Sequence, residues 1–433
     1  MLHRLTLFII LCYFSNTGKA QELLTIEQAV STTLENNFDI KIAKNNTLID
    51  EQNRSLGNAG ILPQVTGNFT RSNSIQNSRQ VRTDGQVQEL NNAKNDNMNY
   101  GVNLNWTVFD GFKMFAKYDQ LKEIQRQGEA EVKYEILTQV SEIIATYYTL
   151  VQQQKMIQAL DTAIDLSQYR LTMAQNRFEI GKAAKLEVLN AQVDLNADKT
   201  SLLQQKEQYA NTKTYMNQLM ARDLNIAFRV QDTLAINDDL KLGDLLGIAE
   251  NQNPQIQLAL INKRISEYNL KQIKGERYPI ISLNSGYNFN ESHSSLGFAT
   301  ENKGRGFNYG VSASVNIFNG FLQNRNERIA KIEIENSELQ IGQQKQAIQS
   351  RITSLFQTYI TNLDLVLLEH DNAELAKENL DITLEKFRIG TITTLEVRTA
   401  QLNYINTMVR SYTAQYQAKI SEIRLKELAG NAF

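Results

Sequence analysis

The sequence contains few of the residues on which most enzymatic and metal chemistry depends. Its 433 residues include one cysteine and three histidines. A single cysteine cannot form an intramolecular disulfide, and a zinc site without cysteines needs carboxylates for most of its ligands. His293, in a polar segment expected to be a loop, and His370, on an expected helix, have no partner nearby in the sequence. We therefore predict no catalytic residues, no metal site, no cofactor and no enzymatic activity.

Proline is equally scarce, and the charges nearly cancel. Pro63 and Pro254 bound 190 residues (64–253) without a proline, which permits very long uninterrupted helices. The formal net charge is -2, so the chain lacks the basic surface that a nucleic-acid partner requires. No nucleic-acid binding is expected.

The first residues have the order of a secretory signal peptide. Arg4 precedes an apolar run from Leu5 to Phe14, and Gly-Lys-Ala follows at 18–20. This order predicts a signal peptide over residues 1–20, cleaved after its last alanine. The apolar run is too short to cross a bilayer as a helix. Cys12 lacks the small residues that precede a lipidated cysteine, so no lipid anchor is expected.

The rest of the chain is a duplication. The segment RFEIGKAAKLEVLNAQ at 177–192 returns as KFRIGTITTLEVRTAQ at 386–401, a shift of 209 positions. At the same shift, YGVNLNWTVFDGF at 100–112 corresponds to YGVSASVNIFNGF at 309–321. Self-similarity on this scale is the signature of a repeated structural unit.

The duplication predicts two structural repeats, over residues 21–225 and 241–433, joined by a linker at 226–240. Asn37 in the first repeat corresponds to Asn253 in the second. Each repeat reads as a helix, two strands and two long helices. The fold class is therefore mixed α and β, with an internal two-fold sequence repeat.

Four segments alternate between apolar and uncharged polar residues, as strands do. They lie at about 64–72, 99–109, 280–290 and 307–318. A half-buried soluble sheet gives the same alternation. The lengths near ten residues, the aromatic residues toward the strand ends and the secretory leader favour transmembrane strands.

The polar segments between these strands, Ser72 to Asn97 and Glu291 to Gly306, are expected to be flexible surface loops. Four strands cannot close a barrel, and an open sheet edge in lipid costs several kcal/mol for each unpaired backbone group. Membrane strands therefore require an oligomer. Because single-chain barrels have at least about eight strands, two, three or four protomers satisfy the count.

The remaining segments predict long helices. A continuous helix from Phe112 to Phe178 would be ~100 Å long at 1.5 Å per residue. Steps of three and four predict an apolar packing seam in the last helix, interrupted by Arg398 and Lys419. Its members are Leu395, Leu402, Ile405, Val409, Tyr412, Tyr416 and Ile423. The corresponding seam of the first repeat is Leu186, Leu189 and Val193, followed by the polar Asn196 and Thr200.

The repeated sixteen residues join two such helices in each repeat. Gly181 and Gly390 follow a basic last turn, and the next helix begins within a few residues. Glycine ends helices because it adopts the left-handed backbone at low cost. Each copy is predicted to be the tip of a helical hairpin, with Phe178 and Phe387 packed beneath the turn.

Glu187 and Glu396 lie six residues beyond these two glycines. One interpretation is that each carboxylate only favours the positive end of its helix. The other is that an oligomer brings all copies together around one axis, where they favour cations and raise one another's pKa.

The duplicated R/K-F-x-x-G, the following L-E-V-x-x-A-Q and the strand exit W-T-V-F-D-G-F resemble the TolC-like outer membrane factor family. The resemblance extends from Leu24 to Gly430 and occurs twice. It implies a homotrimer with a long α-helical coiled-coil barrel, in which each protomer contributes four strands to a 12-stranded trimeric β-barrel.

The resemblance also implies a location and a function. The location is the outer membrane of a Gram-negative bacterium, in contact with outer-membrane lipid, with the helices extending into the periplasm. The function is that of a passive exit duct whose partners are a periplasmic adaptor (membrane fusion) protein and an inner-membrane transporter.

By the same resemblance, Glu396 corresponds to the selectivity ring at the closed tip and Glu187 to an acidic residue of the closing latch. The family's latch tyrosine is Phe387 here, its latch arginine is Ile392, and its second ring acid is Thr399. Closure by the same salt bridge is therefore not expected.

Lys182 and Lys185 are the candidate substitute cations for this latch. Arg398 is also assigned to gating or selectivity at the tip. The alternative function, from a different functional class, is that of a secreted coiled-coil scaffold for adhesion, without channel activity. An enzyme is the third alternative, since a glycosidase needs only two carboxylates, but the equivalent positions of Glu187 and Glu396 suit a symmetric structural role better.

Overall fold

The computed structural model describes residues 22–231, 233–295 and 299–431. The predicted signal peptide, 1–20, lies outside the described residues. The helices are α1 (Ile26–Asn36), α2 (Phe38–Asn53), α3 (Lys113–Glu179), α4 (Lys185–Leu219), α5 (Leu242–Gln252), α6 (Pro254–Gly275), α7 (Leu322–Arg388) and α8 (Thr394–Ala429). The strands are β1 (Glu22–Leu24), β2 (Gln64–Val81), β3 (Val87–Phe109), β4 (Phe228–Val230), β5 (Ile280–Ser294) and β6 (Glu301–Ser314).

The chain forms two compact units that do not coincide with the two sequence repeats. A sheet unit comprises Asn45–Ala130 and Leu258–Gly342, and a helical unit comprises the other described residues. Each unit takes residues from both repeats, because the 67-residue helices α3 and α7 begin in the sheet unit and end in the helical unit. No helix of the described residues has an apolar stretch long enough to cross a membrane.

The core of the helical unit surrounds a two-stranded parallel sheet of β1 and β4. Leu24 and Phe228 from these strands are buried with apolar side chains of α3, α4 and α8. The Tyr147 hydroxyl on α3 donates to the carbonyl of Leu24 at 3.1 Å and accepts from the amide of Gln231 at 2.9 Å. The segment predicted as a linker, 226–240, therefore contributes β4 to this core.

Two equivalent asparagines fix the start of a helix in each repeat. The Asn37 side chain accepts the amides of the first turn of α2, and its Nδ2 donates to the Leu219 carbonyl at 3.0 Å. Asn253 does the same for α6, with its Nδ2 2.8 Å from the carbonyl of Leu428. Both asparagines are buried. Each one caps the start of one helix and donates a hydrogen bond to a backbone carbonyl at the carboxyl end of another helix.

The sheet unit contains a four-stranded antiparallel sheet in the order β2-β3-β5-β6. Its strands are longer than predicted. The polar segments Ser72 to Asn97 and Glu291 to Gly306 are mostly strand, and His293 lies on β5. The prediction of loops there was wrong because polar side chains do not prevent a backbone ladder. Ion pairs between strands hold part of the extension, such as Arg71 with Asp96 at 2.7 Å.

The predicted last strand, about 307–318, was placed too far along the chain. β6 ends at Ser314, which pairs with Ile280, the first residue of β5. Residues beyond Ser314 have no paired neighbour in β5, so the alternation from Val315 onward does not produce a strand.

The packing seams predicted for the last helices are buried only in part within the single chain. On α8, Ile405 and Ile423 are buried and Tyr416 packs against the core, as predicted. Leu395 is 73% exposed and Leu402 is 40% exposed in the single chain, and Leu186, Leu189 and Val193 on α4 are exposed as well. The buried stripe of α8 consists mainly of small side chains: Ala400, Thr407, Ser411, Ala414, Ala418 and Ser421. Small residues bring helix axes closer together. The helices of one chain thus pack to a large extent through small residues and leave part of each predicted seam exposed.

We predict that Asn253→Ala lowers the free energy of unfolding by about 2 kcal/mol, because it removes a helix cap and leaves the half-buried Leu428 carbonyl without its side-chain donor. Thermal unfolding in detergent, followed by far-ultraviolet circular dichroism, measures the change. Asn251→Ala is the matched control, since the Asn251 side chain only bonds to Gly247 on its own exposed helix face. Equal effects of the two substitutions would contradict the assignment.

Candidate functional site

One face of the four-stranded sheet is lined by uncharged polar side chains. Asn103 Nδ2 on β3 donates to Asn68 Oδ1 on β2 at 2.7 Å. Asn288 Nδ2 on β5 donates to Asn103 Oδ1 at 3.1 Å and to Asn308 Oδ1 on β6 at 3.2 Å. These amides link all four strands. The face is therefore hydrophilic but carries no charge along this row.

The other face is apolar and uncovered along β3 from Tyr100 to Val108, whereas beyond this part it carries charged side chains such as Arg71 and Glu291. Phe69, Tyr100 and Phe289 occupy one cross-strand row, and the rings of Tyr100 and Phe289 stack with centroids 4.8 Å apart. On the edge strand β6, Tyr309 is 81% exposed, and Phe307 and Val311 are exposed as well. Monomeric soluble proteins rarely expose a continuous apolar surface of this kind, so this face indicates contact with lipid or protein.

Both edges of the sheet are long and open. β2 has 18 residues, β6 has 14, and each pairs with one neighbouring strand only within the described part of the chain. Because all neighbouring pairs are antiparallel, β2 and β6 run in opposite directions. A β6 edge of one copy can therefore pair in antiparallel fashion with a β2 edge of another.

Where α3 and α7 end, the two repeats form nearly identical hairpin tips. Gly181 has φ of +76° and Gly390 has φ of +81°. After α3, the amide of Gly181 bonds to the Phe178 carbonyl at 2.9 Å, and the amide of Lys182 to that of Arg177 at 2.7 Å. After α7, the corresponding amides of Gly390 and Thr391 bond to carbonyls at 3.0 Å each. Both pairs are the double hydrogen bond of a Schellman C-cap.

The two phenylalanines of the tips differ in environment. Phe387 is 1% exposed, and the Arg177 guanidinium of the first hairpin lies 5.5 Å from its ring centroid. Phe178 is 41% exposed, and the Lys185 ammonium lies over its ring, at 5.3 Å. The prediction that both rings pack beneath their turns was therefore wrong for Phe178. The side chain that covers Phe387 comes from the other repeat, whereas the side chain over Phe178 comes from its own hairpin.

The two glutamates also differ. Glu396 is the third residue of a capping box: its Oε2 accepts the Thr393 amide at 3.1 Å, and the Thr393 hydroxyl accepts the Glu396 amide at 3.4 Å. α4 has Ala184 at the equivalent cap position and no side-chain cap, so Glu187 stands in the first turn without this partner. Glu396 therefore has a structural role in the single chain that Glu187 lacks.

The three basic candidates are placed in different surroundings. Lys182 is exposed at the tip, and Lys185 lies against Phe178. Arg398 points instead into a buried polar network and is the only one of the three that pairs with a carboxylate within the described part of the chain. Its guanidinium donates to both oxygens of Asp198, at 2.8 and 3.0 Å.

The network joins three helices and both repeats. Ser167 Oγ on α3 donates to Asp198 Oδ2 on α4 at 2.5 Å. Gln401 Nε2 on α8 donates to Ser167 Oγ at 2.8 Å. Arg170 Nη2 on α3 donates to Asp194 Oδ2 at 2.5 Å, and Arg398 Nε lies 3.8 Å from the same oxygen.

Arg170 is the most deeply buried charge of this network, with 2% of its side chain exposed. Burial lowers the pKa of its guanidinium, and the neighbouring Asp194 opposes that shift. Ser167, Arg170, Asp194 and Asp198 were missed in the sequence. The sequence did contain one indication of the two aspartates. Asp194 and Asp198 are one helical turn apart and lie on the same helix face as the buried Ala191 and Leu195.

One further group of possible ligands lies on β5 and β6. Ligand atoms of Glu291, His293 and Glu301 are all within 4.8 Å of one another. Lys303 already pairs with both carboxylates, at 3.0 and 2.6 Å. These side chains therefore form an ion-pair cluster between the two strands, and its cation is the side-chain ammonium of Lys303.

The fold and the two surfaces define a class: a duplicated chain with very long helical hairpins and an open four-stranded sheet whose apolar face is exposed. The sequence model described as "Outer membrane efflux protein" matches residues 29–222 and 245–431. The chain belongs to the outer membrane efflux protein family, which confirms the resemblance drawn from the tip motifs. It is therefore an outer-membrane protein of a Gram-negative bacterium.

Individual relatives are distant but similar over nearly their whole length. The chain is 19% identical over 430 residues to the outer membrane efflux protein BepC of Brucella suis biovar 1 (strain 1330), covering 96% of this chain and 87% of BepC. It is 19% identical to the outer membrane protein TolC of Vibrio cholerae serotype O1 (strain ATCC 39315 / El Tor Inaba N16961) over 86% of this chain and 83% of TolC.

The solved structures agree in fold. The CmeC outer membrane channel of Campylobacter jejuni superposes with a TM-score of 0.79 at 18% identity, covering 94% of this chain and 85% of CmeC. The predicted fold class, a long helical assembly with four strands and a two-fold repeat in each chain, is confirmed.

We predict that Ala184→Thr stabilises the start of α4 by about 1 kcal/mol, because it creates with Glu187 the capping box that Thr393 and Glu396 form in the second repeat. Hydrogen exchange measured by mass spectrometry over residues 184–190 should slow several-fold. Thr393→Ala is the reciprocal variant and should speed exchange at the start of α8. If Ala184→Thr leaves exchange unchanged, Glu187 does not point back toward the cap.

Proposed function

We propose that the protein is a trimeric outer-membrane channel-tunnel. In this proposal it is the passive exit duct of a tripartite export system, driven by an inner-membrane transporter and joined to it by a periplasmic adaptor. The observation that carries the proposal is the sheet: one apolar face, one uncharged polar face and two open edges of opposite direction.

A closed barrel gives each of these features a role. In lipid, backbone groups at an open edge have no water to bond to, so the edges must be paired. Pairing β6 of each copy with β2 of the next closes an all-antiparallel barrel from any number of copies. Three copies give twelve strands, the number that the family resemblance implies. The apolar face then meets lipid and the asparagine row lines the interior.

The helices support the same assembly. The large apolar side chains of α4 and α8 that remain exposed in one chain, such as Leu189 and Leu395, form stripes at helical spacing. Exposed apolar stripes of long helices are normally covered by other helices. Neighbouring copies are the partners that a symmetric helical tunnel would supply.

The hairpin tips are the proposed entrance. Around a three-fold axis, the Glu187 and Glu396 copies of three chains would place six carboxylates near one opening, which favours cations. Opening would require the paired helices that meet at Gly181 and Gly390 to move outward when the adaptor engages. The chain needs no catalytic group for this role.

Mass determination in detergent tests the assembly. We expect a single species with three times the protein mass of one subunit, 49.3 kDa for the full sequence, because edge pairing requires several copies and three copies give the proposed twelve strands. Size-exclusion chromatography with multi-angle light scattering gives this mass. A monodisperse monomer that is soluble without detergent would contradict the proposal and support a secreted scaffold.

Cation selectivity tests the role of Glu396. We predict that Glu396→Gln lowers the cation preference of the channel several-fold, because it removes the charge, and that Glu396→Lys lowers it further. The side-chain amide oxygen that Glu396→Gln introduces still accepts the Thr393 N–H, so the capping box survives. The measurement is the reversal potential of planar-bilayer currents under a potassium chloride gradient.

The matched control for this experiment is Thr393→Ala, which weakens the cap but keeps the carboxylate. It should retain the wild-type selectivity. If Glu396→Gln and Glu396→Lys both leave the reversal potential unchanged, Glu396 does not face the ion path. If Thr393→Ala changes it as much as Glu396→Gln does, the effect is structural.

A further inference from the structure

We propose that the outward face of the sheet binds the phosphorylated headgroup of an outer-leaflet lipid, and that Arg305 on β6 is the residue that contacts the phosphate. The proposal rests on the proposed function, because it requires the apolar face of the sheet to meet lipid. The acyl chains of the lipid would lie along the apolar part of the same strand, and its headgroup would lie where the face becomes charged.

The apolar part of this face has the height of a membrane. On β3 it extends over eight residues from Val108, beside the helices, to Tyr100, about 27 Å of strand. Trp106 lies near one end, and the stacked rings of Tyr100 and Phe289 lie at the other. Transmembrane barrels have an apolar band of about 25 Å with aromatic residues at both interfaces. Because the helices extend into the periplasm in the proposed assembly, the charged residues beyond Tyr100 lie at the headgroups of the outer leaflet.

Arg305 is a cation of this level without a counter-ion in its own chain. Arg71 pairs with Asp96 at 2.7 Å, and Lys303 pairs with two glutamates. Arg305 lies directly opposite Phe289, in the aromatic row, and is exposed. Its side chain forms no ion pair or hydrogen bond with the described residues.

The neighbouring copy offers no carboxylate for Arg305 either. In the proposed barrel, the strand beside β6 is β2 of the next copy, which contains Arg71 and Arg79 and no acidic residue. The one acidic residue of β6 is Glu301, which already pairs with Lys303. The two strands that meet between copies therefore carry four basic residues and one acidic residue. This junction has an excess of positive charge, and an anion from outside the protein is needed to balance it.

The surroundings of Arg305 suit a phosphate. Guanidinium groups bind phosphate through two parallel hydrogen bonds, which a carboxylate-free surface leaves available. Arg305 and Lys303 line a shallow pocket together with Tyr100 and Phe289. Glu291 lines it as well, but its carboxylate pairs with the Lys303 ammonium at 3.0 Å. The pocket thus combines a free guanidinium with aromatic surface.

The strand that carries Arg305 also provides the surface for an acyl chain. Phe307, Tyr309 and Val311 follow on the same face of β6, and all three are exposed. A free phosphate ion would contact only the cation. A phosphorylated lipid would contact both the cation and this apolar track, so the arrangement favours an amphiphile.

The test titrates lipid A, an acylated and phosphorylated disaccharide, into the full-length protein in detergent. Native mass spectrometry counts the lipids bound to each assembly. The variants are Arg305→Gln, Arg305→Lys and the control Arg79→Gln. Arg79 is also an exposed arginine on an edge strand, but it already pairs with Glu89 at 3.0 Å. Dephosphorylated lipid A serves as the matched ligand, and inorganic phosphate serves as a competitor.

We expect the wild type to bind one lipid A per subunit. Arg305→Gln should bind it about tenfold more weakly, because the variant loses the charge-assisted hydrogen bonds to the phosphate. Arg305→Lys should lose less, since lysine keeps the charge but cannot present two parallel donors. Arg79→Gln should match the wild type. Dephosphorylated lipid A should bind the wild type as weakly as lipid A binds Arg305→Gln.

Four results would overturn the proposal. Equal binding of lipid A by the wild type and Arg305→Gln would show that the arginine is not involved. Equal binding of the two forms of lipid A would show that only the acyl chains are held. An equal loss in Arg79→Gln would show a general effect of charge, and complete displacement by inorganic phosphate would show a site for a free anion.

The outcomes also separate this proposal from the proposed function. If the protein is a conducting trimer whose lipid A binding does not depend on Arg305, the channel stands and the lipid site is refuted. If the protein forms no channel but binds lipid A in a manner that depends on Arg305, the channel function fails and the lipid site stands.

Discussion

The structure depends on one constraint: every backbone amide and carbonyl must find a partner. Within the sheet the ladders from β2 to β6 satisfy it, but the outer edges of these two strands are open in the described chain. In lipid nothing except another strand can satisfy those edges. In the proposed trimer the single chain is one part of a closed structure, which also accounts for its uncovered apolar sheet face and for the exposed leucines of its long helices. Each is a surface that another copy or the membrane would cover there.

The helical unit is held together in a different way. Its helices pack through small residues such as Ala414 and Ala418 and are fixed by buried polar groups, including the Asn37 and Asn253 caps and the network around Arg398 and Asp198. Polar groups of this kind are satisfied in one arrangement only, so they determine register more than they add stability.

Much of the fold could be predicted because it follows local rules. The duplicated glycines, the absence of proline from the four longest helices and the alternation around Tyr100 each act within a few residues of the chain, and they give the repeats, the long helices and the hairpin tips. Packing partners could not be obtained in this way. Leu395 and Leu402 have the right spacing for a seam, but the chain packs through the smaller neighbours Ala400 and Thr407. Arg398 interrupts the apolar series for a reason that is visible only when Asp198, two hundred residues earlier, lies beside it.

The most direct test of the central claim is disulfide cross-linking between strands of different copies in outer-membrane vesicles. A cysteine replacing Gly310 on β6 is oxidised against single cysteines placed in turn along β2. If the edges pair between copies, cross-links form at alternate positions around one register, and the products on a denaturing gel end at three linked chains. If no position along β2 yields a linked product, the open edges are not joined to one another, and the account of a closed barrel is contradicted.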